Sequence, residues 1–99
     1  MTFEDHVRRA LDSLTPELAR GLENVAVVVE DENPEEPDLL GLFEEHPYMP
    51  AKISIYRVPI EESFPDPREL EDEIRITVLH ELAHYFGIDE ERLEELGYD

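Results

Sequence analysis

The chain has no cysteine in its 99 residues. Disulfides, thiolate metal sites and cysteine nucleophiles are therefore excluded. Basic residues are scarce: eight Lys and Arg stand against 27 Asp and Glu, a net charge of −19 with the histidines neutral. A surface of that sign repels phosphate, which argues against nucleic acid and against anionic lipid as partners. Long apolar runs are also missing. The longest, Val25–Val29, falls far short of the roughly 20 residues of a membrane span and is too short for a signal-peptide core. No export signal is visible, so a soluble, cytoplasmic protein is the expectation. There is no internal repeat and no low-complexity tract beyond one acidic stretch.

What is present suffices for one small core. The hydrophobic fraction of 40% argues against wholesale disorder, and the length fits a single domain over residues 1–99. Thr2 and Asp5 form a capping-box start, and Phe3, Val7, Ala10, Leu11 and Leu14 fall on one helical face. Thr15-Pro16 restarts the chain as a short helix through Leu18 and Leu22, ending near Asn24. Val25–Val29 is β-branched without polar alternation, the pattern of a strand covered on both faces. Asp31–Asp38 is a solvated acidic loop. Leu39–Phe43 is open between a helical turn and a short strand, and His46-Pro47 and Met49-Pro50 mark another loop. Ile53–Val58 reads as a strand ended by Pro59, which suits an edge. The fold class is α+β: N-terminal helices, a small twisted sheet and one long helix packed on it.

That long helix carries the chemistry. Asp66, Pro67 and Glu69 give a strong helix start, and the pattern runs to Phe86 with Gly87 as its stop. Within it, His80-Glu81-Leu82-Ala83-His84 is HExxH. Residues i and i+4 lie about 40° apart and one turn up, so both imidazoles reach one metal, while Glu81 borders the same face without ligating it. Glu73 and Thr77 fall near this face, Glu73 as a candidate support for the ligands. Ile74, Val78, Leu79, Leu82, Ala83 and Phe86 form the opposite, core face. In a chain of this composition the motif arises by chance roughly 3 times in 100, and about 1 time in 1000 with Gly three residues on. A catalytic zinc takes three protein ligands and keeps one open position. Glu90 is the preferred third ligand, since Gly87 permits the reversal that returns it to the metal. Asp89 is the close alternative, although it also suits the cap of a last short helix, and His46 is a remoter candidate.

The segment HELAHYFGIDEERLEELGY resembles the short bacterial zincin-like metallopeptidases, minimal one-domain proteins with an HExxHxxGxx(D/E) signature. The likeness extends more weakly to the ISIYR and NVAVVVED strands and the first helix. It implies a zincin-like α+β fold, a zinc cofactor held by His80, His84 and Glu90, and Glu81 as general base. Two features depart from the larger metzincins: their third ligand is histidine, and they carry a methionine turn, whereas the methionines here are Met1 and Met49. Tyr98 is a candidate to buttress the site or donate to an oxyanion.

The expected function is a zinc-dependent metallopeptidase in which Glu81 activates a zinc-bound water against a peptide bond. Its substrate would be a peptide or protein, basic if the net charge selects. The Ile53–Val58 edge strand would pair with the substrate, with Tyr56 or Arg57 as contacts. The same edge leaves room for a homodimer. Two other functions remain open: a zincin-like domain that binds metal or a protein partner without turnover, and an acidic interaction protein that covers a basic surface.

Overall fold

The computed structural model describes residues 1–87 together with Glu91, Arg92 and Glu95. Helix α1 (Phe3–Asp12) opens on a reciprocal cap: the Asp5 amide donates to the Thr2 hydroxyl at 3.2 Å, and the Thr2 amide donates to the Asp5 carboxylate at 3.0 Å. Phe3, Val7 and Ala10 are its buried face; Leu14 lies past the helix end. Helix α2 (Pro16–Gly21) starts at the Thr15 cap, buries none of its residues and stops short of Asn24.

Three strands follow: β1 (Val25–Glu30), β2 (Gly41–His46) and β3 (Met49–Tyr56). Their order is β1-β3-β2, with β1 parallel and β2 antiparallel to β3. Two expectations are corrected here. Ile53–Val58 is not an edge strand: β3 is the central strand, and it ends at Tyr56. Pro59 lies in the first turn of helix α3 (Arg57–Ser63), where an amide is not needed for intrahelical bonding. Conversely, Val25–Val29 is not covered on both faces. β1 is an edge strand with only Val25 fully buried and Ala26 exposed.

The acidic segment between β1 and β2 carries the chain across the end of β3, as the parallel β1–β3 pair requires. Two backbone bonds tie it there, from the Tyr56 amide to the Leu40 carbonyl and from the Val58 amide to the Asp31 carbonyl. Asn33 braces it, accepting from the Glu35 and Glu36 amides and donating to the Tyr56 hydroxyl at 3.1 Å. Leu39–Phe43, open between two readings, resolves into the approach to β2 and its first residues. The expected loop at 46–50 contracts to a two-residue turn, Pro47-Tyr48, since His46 already pairs with Met49.

Helix α4 (Pro67–Phe86) is the spine of the molecule. The Asp66 carboxylate accepts from the Arg68 and Glu69 amides, and Gly87 ends the helix at φ 68°, a left-handed turn that favours glycine. Its core face meets α1 and the inner face of the sheet. Ile74, Val78 and Leu82 pack with Val7, Ile53, Ile55 and Ile60 in one cluster. Each such burial contributes roughly 1.5–3 kcal/mol, so the helix is fixed in rotation as well as in place. Phe86 departs from the expected core face and is half exposed. The architecture is α+β, helices against one face of a small mixed sheet. Among the described residues no helix is long and apolar enough to cross a membrane.

Candidate metal centre

Because the core face of α4 is locked, its opposite face is aimed at the gap beside β2. His80 and His84 lie there one turn apart, with ring centres 5.0 Å apart and planes at 67°. Between them in sequence, Glu81 is turned inward and 9% exposed. One of its carboxylate oxygens lies 3.4 Å from Nδ1 of His84, whose side chain is about half exposed. A buried carboxylate beside two imidazoles is placed to accept a proton from anything held between the rings.

Gly41, the first residue of β2, is what lets the strand approach this face. A Cβ there would sit 2.6 Å from Cγ2 of Thr77, 3.2 Å from the Ser54 carbonyl oxygen and 3.5 Å from Cγ of Glu81. Gly41 was not singled out from the sequence. Its signal was a lone glycine inside an apolar strand, which marks close backbone approach. The result is a cleft of about 340 Å³ bounded by the Asp38–Gly41 segment on one side and by Glu73, Thr77, His80 and Glu81 on the other. Glu73 is half-buried, and burial alone pushes its carboxyl above the ordinary range.

Glu90, Asp89 and Tyr98 fall outside the described residues, so the third ligand is not placed. His46 is exposed at the far end of β2. It lines a larger recess of about 560 Å³ with Met49, Pro50 and Tyr85, which holds none of the motif's three polar residues. Tyr56 and Arg57 are engaged within the fold. Tyr56 is 2% exposed, with its hydroxyl taken by Asn33, and Arg57 is clamped between Asp31 and Glu61 at 3.0 and 3.3 Å.

Do these residues fit a zinc ion? Two imidazoles on one tetrahedral zinc, at Zn–N about 2.0–2.1 Å, hold their ring centres roughly 5 Å apart. The observed spacing agrees, and the donors are of the type zinc prefers. Among the described residues no group of three His, Asp or Glu converges on one point, so the described donors are the histidine pair alone.

Comparison with family models matches residues 22–98 to the zincin-like metallopeptidases. The chain belongs to that family. The matched span takes in the sheet, α3 and α4, and leaves out α1 and α2. Members of this zincin-like family are typically zinc-dependent, in keeping with the donor set. Comparison with curated proteins yields no match.

Proposed function

We propose that this zincin-like metallopeptidase is a zinc-dependent hydrolase of peptide bonds, with His80, His84 and Glu90 as ligands and Glu81 as general base. The observation that carries this reading is the buried Glu81 carboxylate, held beside the histidine pair at the mouth of a cleft. The chemistry zinc supplies in such a site is a polarised carbonyl and a water acidic enough to ionise near neutral pH.

The protein's own residues do the rest. Glu81 takes the proton of the attacking water and delivers it to the leaving amine, so that the amine departs neutral. Its burial keeps bulk water from competing for that proton. His84 Nδ1 faces Glu81, which leaves Nε2 of the same ring for a ligand. The substrate strand is β2 rather than β3. Among the described residues β2 pairs only with β3, so its outer edge offers backbone groups to an extended peptide beside the cleft.

The test is zinc stoichiometry after chelation and reloading, in the wild type and in the His80→Ala,His84→Ala double variant. About one zinc per chain is expected in the wild type and none in the variant. Cleavage of a peptide library by the zinc-loaded wild type, abolished by Glu81→Gln with zinc retained, completes the assignment. Equal and low zinc uptake by both proteins would sink it. Zinc uptake without turnover would leave a metal-binding domain.

A further inference from the structure

The cleft at the motif is lined unevenly. Beside His80 its walls are apolar, with Leu39 and Leu40 on the strand side and Ile76 on the helix. Away from His84 its lining includes two acidic residues, Asp38, which is exposed, and Glu73, which is half-buried. Glu73 lies two turns before His80, about 10 Å along the helix axis. Among the described residues neither carboxylate has a hydrogen bond or ion pair from its side chain, in contrast to Asp31, Glu61, Glu71 and Asp72, which all hold arginines. Glu73 is also the one described carboxyl that burial pushes up without any compensating cation.

An apolar channel with uncompensated acidic residues at one end matches one kind of side chain. Lysine and arginine lay their aliphatic stems along apolar surface and carry the charge at the tip. A neutral apolar chain would desolvate Glu73 further with nothing in return, and an acidic one would be repelled. The channel's direction is fixed too. β2 runs alongside α4 in the same sense, since Gly41 meets Thr77 while Phe43 meets Tyr85 further on, with ring centres 5.7 Å apart. A peptide pairing antiparallel to β2 therefore puts its carboxyl-terminal half over the Gly41 end, where Glu73 and Asp38 lie.

If the chain is the peptidase proposed above, on which this role rests, we infer that Asp38 and Glu73 close a pocket for a lysine or arginine side chain on the carboxyl-terminal side of the scissile bond. Basic peptides are then the substrate class. Selection is local. The field of the whole molecule, by contrast, is screened within about 10 Å at 0.1 M salt.

Binding and cleavage test this separately. Fluorescein-labelled peptides that differ only by lysine or norleucine are titrated against the full-length Glu81→Gln protein at 0.1 M salt. The lysine peptide should bind roughly tenfold or more tightly, the range of a charge-assisted contact. Adding Asp38→Asn and Glu73→Gln should bring it down to the norleucine level. Equal binding of the two peptides overturns the pocket, and so does a lysine preference that survives the added substitutions. Where the zinc-loaded wild type cleaves a randomised library, the product termini should carry lysine or arginine just after the cut; enrichment before the cut also overturns it. Failure of the peptidase reading looks different: no turnover, with the lysine preference in binding intact and sensitive to both substitutions.

Discussion

At Gly41 a single hydrogen in place of a methyl group sets how near the sheet comes to Glu81. An alanine there collides with Cγ2 of Thr77, a buried branched side chain with little room to turn. Gly41→Ala should therefore cost about 1–3 kcal/mol through overpacking. Thr77→Ser, which deletes the colliding methyl, should restore part of that loss in the double variant. Chemical denaturation of the four proteins measures it, and strict additivity would show that the two residues do not meet. Glu73 makes a second case at this scale. A carboxyl whose pKa is raised on folding binds its proton more tightly in the folded chain. Its stabilising contribution is full below the ordinary value near 4.5 and is lost as pH rises through the raised folded value. Glu73→Gln should then melt higher than wild type at about pH 7, with the gain vanishing toward about pH 4. A variant that melts lower at neutral pH would reveal a counter-charge beside Glu73. The spacing of HELAH made the histidine face readable from sequence because helix geometry is rigid. Nothing equally rigid ties Gly41 or Asp38 to that face, since they reach it through a crossover and a strand register.

Among the elements, α4 was legible from cap to stop because Asp66, Pro67 and Gly87 each act locally on the backbone. Strand order was not, because it depends on pairing partners far along the chain. Pro59 reads as the end of an edge strand and instead opens α3, two situations that both lack a need for its amide. The apolar run of β1 reads as a covered strand, yet half-burial at an edge leaves the same residues in place. The local nature of the α4 cap makes its effect calculable. Asp66→Ala removes acceptors for two amides and should cost about 1 kcal/mol, or about 4–8 °C in melting temperature for a domain of this size. His80 lies about four turns further on, so zinc stoichiometry should be unchanged. A cap variant that lost zinc would mean the helix is not held by its packing against Ile53, Ile55 and Val7, and the rigid presentation of the histidine face would have to be abandoned.

Over the whole molecule, negative charge outweighs every other surface feature. Among the described residues, six of the eight cations sit in ion pairs: Arg8, Arg9, Lys52, Arg57, Arg75 and Arg92. Such pairs on a surface contribute about 0–1 kcal/mol each, and salt weakens them. Against them stands the net charge of −19, whose self-repulsion destabilises the compact state and is weakened by salt as well. Because acids outnumber bases more than threefold, the repulsion should win. Raising sodium chloride from about 10 mM to 0.5 M, where the screening length shrinks severalfold, should therefore raise the melting temperature. A fall would show that pairs such as Arg57 with Asp31 and Glu61 outweigh the repulsion. The same salt should act in the opposite direction on function, weakening capture of a lysine peptide while leaving its norleucine twin nearly unaffected. Folding responds to the summed charge and recognition to the two acidic residues at the cleft, so a salt series read both ways separates the cost of the charge to stability from its use in binding.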